Sequence, residues 1–309
     1  MKALIAAALV LLAAAPPFMS DWLVFLLSIS IAKGMVVLGV TMLLRGGLIS
    51  FGHALYYAAG AYVVGFAGNR FGIGDAAITL PLAALGCALL GAAVGLLLMR
   101  FRGIYFAMLS LAFSMILYTV LLKFYNFSGG TDGIGVRYFS VFGLRPPQES
   151  LRLAQYYLTL ALGFGMLYTG TRFFASPLGA LMQAVRYNEI RVEYLGASVS
   201  RAILASYVLS ATVSGVGGAL AAYLVGHVSP QLAYWTSSGD FVFVAVLGGT
   251  GSVFAPFAGS VAFEFIKNYA VKLSPETWQL TLGVVLLLII FFLPQGLWSL
   301  AARLRERHE

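Results

Sequence analysis

The chain has 309 residues, of which 61% are hydrophobic and only 10% charged, too few charges to cover a soluble globule of this length. It reads as an integral membrane protein. The net charge of +8 is spread over the ends of apolar runs, which fits membrane topology and excludes a nucleic-acid surface, and the single Cys87 excludes a disulfide within one chain.

A helix that crosses the hydrocarbon core needs about 20 apolar residues at about 1.5 Å rise each. Ten segments meet or approach that length, roughly residues 3–19, 22–44, 50–68, 76–99, 103–125, 154–174, 202–225, 238–251, 253–271 and 279–300. Met1-Lys2 and the apolar run to Ala15, followed by Pro16-Pro17, resemble a signal peptide in charge and length. The poor cleavage-site pattern favours a short first membrane helix instead. The eighth segment is too short for a straight crossing, and its Gly248-Gly249-Thr250-Gly251 tail predicts a break. The expected fold is all-α, a single polytopic membrane domain over 1–309.

Orientation follows from the basic residues. With both termini cytoplasmic, the inside ends hold Lys2, Arg45, Arg100, Arg102, Arg172, Arg186, Arg191, Arg201, Arg303, Arg305 and Arg307. The outside ends hold Arg70, Lys123, Arg137, Arg145, Arg152, Lys267 and Lys272, and Lys33 falls in mid-span. Eleven against seven places the termini and the 172–201 stretch inside the cell. The long external loop 126–153 carries Gly129-Gly130-Thr131-Asp132-Gly133 and Pro146-Pro147, so it reads as a structured loop and not as a domain.

The 172–201 stretch is the long polar interruption of the second half. Ser176-Pro177 is an N-cap followed by proline at the first helical position. Leu178, Leu181, Met182 and Val185 recur at i, i+3, i+4 and i+7, while Gln183, Arg186 and Glu189 fall on the other side. This is a short amphipathic helix. Asn188 can cap a second helix that Gly196 ends in a left-handed conformation. A helix of about ten residues is marginal alone, so its apolar stripe needs a surface, supplied either by the membrane domain or by a partner.

Two further groups carry polar character into the apolar spans. Gly46 to His53, continuing to Tyr62, is dense enough in glycine to let a helix break and expose amides that can receive a carboxylate. The structural alternative makes these glycines packing contacts and His53 a hydrogen-bonded interior histidine. A weak echo of this run occurs at Gly248 to Ser252, and Gly47, Ser50, Gly52, His53, Gly248, Gly249 and Gly251 are the candidate residues of a substrate pathway. Lys33 and Glu264 both need partners in mid-membrane: either they pair with each other, or Glu264 pairs with Lys267 one turn along. A structural ion pair is favoured over a proton carrier.

The inventory for catalysis is negative. No Gly-Lys dipeptide occurs, so there is no G-x-x-x-x-G-K-[ST] phosphate loop, and His53, His227 and His308 show no metal-ligand spacing. No enzyme, metal site or bound cofactor is expected. A secondary transporter would need a coupling carboxylate at mid-membrane, for which only Glu264 and Asp240 stand as candidates.

Taken in order, Gly47 to Tyr62 (GLISFGHALYYAAGAY), Arg102 to Phe113 (RGIYFAMLSLAF), Gly129 to Gly133 (GGTDG), Ser176 to Gly196, Val246 to Gly251 (VLGGTG) and Leu293 to Leu297 (LPQGL) resemble the permease subunits of bacterial ABC importers for branched-chain amino acids, M-type. The resemblance spans most of the chain. It implies a type II importer permease architecture in the inner membrane, a second permease subunit as heterodimer partner, two cytoplasmic ATPase subunits that hydrolyse the ATP, a periplasmic amino-acid-binding protein and the lipid bilayer around them. It also implies that Ser176, Pro177, Leu178, Gly179, Leu181, Met182, Arg186, Asn188, Glu189, Glu193 and Gly196 form the ATPase-coupling segment. The family pattern often runs Ser-Pro-Phe-Gly-Arg, with a further basic residue before Ala-Ile-Arg-Glu-Asn-Glu. Here Ala180 and Gln183 stand where bases are common and Tyr187 replaces an acid, which puts ionic contacts at those three positions in doubt. Similar permeases serve urea, amides and other amino acids; the GGTDG loop leans toward the amino-acid branch.

Overall fold

The computed structural model describes residues 12, 15–136, 139–273, 275–292 and 296–298. Most of the expected first span 3–19, the basic residues Lys2, Arg137, Arg303, Arg305 and Arg307, and Leu293 to Gln295 of the closing motif lie outside them. The chain is built of helices: α1 (Asp21–Leu44), α2 (His53–Phe71), α3 (Ala76–Leu98), α4 (Gly103–Lys123), α5 (Gln148–Ala175), α6 (Pro177–Tyr187), α7 (Glu189–Tyr194), α8 (Val199–Val225), α9 (Trp235–Gly248), α10 (Ala255–Leu273) and α11 (Trp278–Phe292). Of these, α1, α3, α4 and α8 are long and apolar enough to cross a membrane by length and composition alone. The remaining long helices carry more polar residues or are shorter.

At its centre lie α1 and α8. Seventeen of the 24 residues of α1 and 18 of the 27 of α8 are buried, whereas α4 buries only Phe106, Ser110, Ser114 and Leu121 of its 21. The composition of α8 explains its place. Lipid tails are as apolar as leucine, so helices associate through close backbone approach and small residues, and Ser210-Ala211 to Ser214-Gly215-Val216-Gly217-Gly218-Ala219 offers small side chains on every face. The two tightest approaches between helices admit no side chain at all. A Cβ on Gly60 of α2 would overlap the carbonyl oxygen of Gly215, and one on Gly218 would overlap that of Tyr57.

The two ends of the bundle differ. The near end carries α6 and α7 beside the last turns of α1, α5 and α9. The far end carries the 126–153 loop, whose β1 (Ile134–Gly135) pairs antiparallel with β2 (His227–Val228). The Asp75 carboxylate caps α3 by accepting from the Ala77 amide at 2.9 Å and holds the loop by accepting from Phe142 at 3.1 Å and Gly143 at 2.5 Å. These three amides, the Ala77 bond foremost, hold the Asp75 carboxyl below its ordinary range.

The eighth segment is the expected irregular one. Its helix α9 has 14 residues, a length of about 21 Å against a hydrocarbon core of about 30 Å. The chain reaches it from α8 through β2 and a short 3-10 turn at Pro230–Ala233. A similar non-helical stretch, residues 45–52, precedes α2.

Charges placed by sequence in mid-span are paired between helices. Lys33 Nζ lies 2.6 Å from Glu264 Oε1, joining α1 to α10, and this decides between the two partners open to Glu264. Lys267 turns instead to Asp240 of α9 at 3.3 Å, with its ammonium 5.0 Å from the Trp278 ring centroid of α11. Two ion pairs thus tie α1, α9 and α10 side by side.

Breaking one partner of a buried pair leaves an uncompensated charge, a cost of about 3–5 kcal/mol. Lys33→Met is therefore expected to depress the yield of folded protein strongly, and Lys33→Glu with Glu264→Lys to recover much of it, as read by size-exclusion of detergent extracts. Full stability of Lys33→Met alone would refute the pairing. At the close approaches, Gly60→Ala and Gly218→Ala should each lose about 1–3 kcal/mol or more through overpacking, visible as a lower thermal unfolding temperature in detergent. Gly165→Ala, with no heavy atom within 4 Å of the added carbon, should not lower that temperature, since alanine is the better helix former.

Candidate functional site

The near end gathers most of the residues marked by sequence. α6 starts as its chemistry dictates: Ser176 is extended at φ −82° and ψ 159°, its Oγ accepts from the Gly179 amide at 3.1 Å, and Pro177 opens the first turn. Asn188 then breaks the helix and caps α7, its Oδ1 accepting from the Arg191 amide at 2.9 Å. Gly196 closes the segment at φ +86°. These are the local turns expected from the residue types alone.

The direction of the apolar stripe is settled by packing. Met182 is fully buried, Gly179 and Val185 are buried, and Leu178 and Leu181 pack half-buried against the core of the same chain. Met182 sits on Gly46 so closely that a Cβ there would overlap its methyl group, and the stem of Arg186 lies over Gly47. Of the two surfaces open to the stripe, it rests on the membrane domain. Sequence periodicity therefore found the supporting face and not the outward one. Outward stand Ala180, Gln183, Arg186, Tyr187, Ile190, Arg191, Glu193, Tyr194 and Leu195. Four of them are large and bare: Tyr187 is 82% exposed, Ile190 66%, Tyr194 89% and Leu195 82%. The signal for this surface was present, because Tyr187, Ile190 and Tyr194 recur at i, i+3 and i+7, but the break at Asn188 divides it between two helices.

Glu189 departs from expectation. Sequence spacing puts it on the outer side with Arg186, yet its carboxylate turns to Arg102 at the start of α4, with Nε to Oε2 at 2.9 Å and Nη2 to Oε1 at 2.6 Å. The reason is that α7 begins a new helix at Glu189, so the phase of α6 no longer applies.

The glycine-rich stretch before α2 has its backbone groups satisfied by serines. Ser110 Oγ accepts from the Phe51 amide at 3.0 Å, Ser50 Oγ from Gly52 at 3.3 Å and Ser238 Oγ from Ala54 at 3.1 Å. His53 is wholly enclosed, its Nε2 2.6 Å from Ser210 Oγ. Because that hydroxyl donates to the Gly39 carbonyl at 2.7 Å, His53 is assigned as the donor through Nε2. This is the interior, hydrogen-bonded histidine, facing α8 and α1. Gly47 and Gly251 are exposed, whereas Ser50, Gly52, Gly248 and Gly249 are buried. Arg45 draws the two glycine groups together at the near end: its guanidinium covers the Phe174 ring at 3.7 Å and donates to the Thr250 and Gly251 carbonyls at 3.4 and 3.5 Å.

Two cavities lie elsewhere. One of about 510 Å³ between α2 and α4 is walled by apolar and aromatic residues: Ala59, Tyr62, Val63 and Phe66 on one side, and Leu117, Val120, Leu121 and Phe124 on the other. Another of about 840 Å³ opens at the far end beside the Asp21–Arg152 ion pair. None of the sequence-marked pathway residues lines either one. Among the described residues no three His, Cys, Asp or Glu side chains gather as metal ligands would.

Comparison with known proteins bears on the whole of this arrangement. The chain is 29% identical over 313 aligned residues to the high-affinity branched-chain amino acid transport system permease protein LivM of Escherichia coli (strain K12), covering 94% of this chain and 73% of that protein. The LivM protein of Salmonella typhimurium gives the same identity and coverage. No solved structure matches. Residues 22–292 match the family described as branched-chain amino acid transport system / permease component, a range that takes in α1 through α11 with the whole near-end segment. The chain belongs to that family, and it is an all-α, membrane-embedded transport permease.

Proposed function

We propose that this chain is one permease subunit of an ATP-driven importer for branched-chain amino acids, working beside a second permease, two ATPase subunits and a soluble amino-acid-binding protein. The observation that carries the reading is the division of the near-end segment into two faces. Gly179, Met182 and Val185 lock α6 to the bundle, while Tyr187, Ile190, Tyr194 and Leu195 stay bare on a surface flanked by Arg186 and Arg191. Exposed large apolar side chains rimmed by polar ones mark a protein contact. A surface so rigidly joined to the membrane helices transmits displacement instead of merely binding.

The chain holds no phosphate-binding loop, so ATP would be bound and hydrolysed by the partners. ATP-driven closure of those partners then moves the near end, and the membrane path opens alternately to one side and the other. No catalytic residue is needed here. The Lys and Arg bias of the sequence, eleven against seven with both termini counted, supports a near end in the cytoplasm of a bacterial cell and the 126–153 loop outside. Branched-chain amino acids are the substrate favoured by the likeness to the LivM proteins, ahead of urea, amides or other amino acids.

An ion-coupled secondary transporter is disfavoured on a specific ground. Its coupling carboxylate would have to titrate in mid-membrane, and Glu264 and Asp240 are both held by lysines.

Ile190→Asp with Tyr194→Ser is expected to remove the ATPase subunits from the purified complex and to lower uptake of radiolabelled leucine at least about tenfold, a coupling free energy of ordinary size. Insertion of the permease should be unaffected. Retention of the ATPase with unchanged uptake would defeat the docking assignment, and uptake that persists in cells lacking the ATPase subunits would defeat the importer reading itself.

A further inference from the structure

We infer that Arg102 is a positioning residue that carries movement of the near-end segment into α4, and through α4 to the two non-helical stretches that precede α2 and α9. The inference rests on the ATPase-docking reading above and names the route inward from that surface.

All three nitrogens of the Arg102 guanidinium donate. Nε and Nη2 hold both carboxylate oxygens of Glu189, while Nη1 donates to the carbonyls of Met99 at 2.6 Å and Phe101 at 2.9 Å. Met99 closes α3, Arg102 is the N-cap position of α4 and Glu189 is the first residue of α7. One planar group therefore joins three helix ends. A bidentate pair of this kind fixes orientation as well as distance, which a lysine ammonium cannot do.

What α4 touches gives the link its consequence. With four buried residues in 21, it is seated far more lightly than α1 or α8. Its inward-facing hydroxyls act on the irregular backbone: Ser110 Oγ accepts from the Phe51 amide just before α2, and Ser114 Oγ donates to the Ala233 carbonyl just before α9 at 2.8 Å. Backbone outside a helix at membrane depth persists only where protein satisfies it. A helix that is lightly packed, gripped at its near end by α7 and bonded at mid-length to both stretches is built to move them together.

The test uses the complete complex reconstituted in proteoliposomes with its ATPase and binding-protein partners. Arg102→Gln, Glu189→Gln and Arg102→Lys are each expected to cut uptake about tenfold or more, within the usual range of a coupling energy. The ATPase subunits should stay bound in normal ratio, and basal ATP hydrolysis should continue while its stimulation by substrate-loaded binding protein is lost. Arg102→Glu with Glu189→Arg should regain a substantial part of the uptake. Glu189→Gln keeps the side chain's shape and an acceptor oxygen, so it reads the ion pair in a folded protein. Uptake within twofold of the unmodified complex in Glu189→Gln and Arg102→Gln would overturn the inference. So would loss of the ATPase subunits in those variants, which would make the pair a support of the docking surface and not a transmitter. Failure of the docking reading is seen separately, as ATPase retention in the Ile190→Asp, Tyr194→Ser variant.

Discussion

Water is absent from the hydrocarbon core, so every amide and carbonyl that leaves a helix there must find a partner within the protein. This chain leaves helical geometry before α2 and again before α9, each time beside the middle of α4, and both departures use serine hydroxyls. Ser50, Ser110 and Ser238 accept amides from Phe51 to Ala54, and Ser114 donates to Ala233. Ser210 donates to Gly39 and receives His53, pinning the start of α2 to both central helices. Small hydroxyls suit the task because they bring a donor and an acceptor without the volume that would hold the helices apart.

The same constraint explains why the interior is organised around α1 and α8. Where side chains nearly vanish, as at Gly60 against Gly215 and Gly218 against Tyr57, backbones meet and dispersion contacts are densest. Charge is then admitted only at the margin of that packed centre. Lys33 with Glu264, and Lys267 with Asp240, sit where α1, α9 and α10 adjoin. Each pair fixes the neighbours' register along the membrane normal, which apolar side chains alone specify poorly. By contrast α4 shares little of the centre: Phe106 and Leu121 are buried, Leu109, Phe113, Leu117 and Tyr118 pack on its edge, and polar bonds hold its start and middle.

Spans were legible in the sequence because length and apolarity are local quantities, and the short, glycine-ended eighth segment announced its own irregularity. Caps were legible for the same reason: Ser176, Asn188 and Gly196 act within three or four residues of themselves. Partners distant along the chain were not. Glu264 had two lysine choices by pattern, Lys33 and Lys267, and only the approach of α1 to α10 selects Lys33 while Lys267 turns to Asp240. Arg102 and Glu189 are 87 positions apart and carry no mutual signal. A stripe at helical spacing tells that one face is buried but not against whom, so Leu178, Leu181, Met182 and Val185 looked equally suited to a partner's groove and to the chain's own core. The motif order that resembles the permease family supplied function, which periodicity could not.

The two faces of the near-end segment give the departures from the family pattern a physical meaning. Positions that match have work to do inside the chain: Ser176 and Asn188 cap helices, Gly179 lies under the backbone of Phe173, Arg186 rests its stem on Gly47, Glu189 holds Arg102, and Gly196 takes a left-handed turn. The three positions whose charge differs, Ala180, Gln183 and Tyr187, are all exposed, while the apolar exchanges at Leu178 and Val185 stay against the core. Two sites where bases are common are neutral here and one acidic site is aromatic, so the outward surface gives up charge while gaining apolar area beside Ile190 and Tyr194. A partner fitted to this surface would rely less on ionic pairing and more on shape. Rim charge chiefly sets encounter rate and salt dependence, whereas buried aromatic contacts set lifetime. The frame that positions the surface is thus kept, and what has shifted is the chemistry that the surface would offer to a partner.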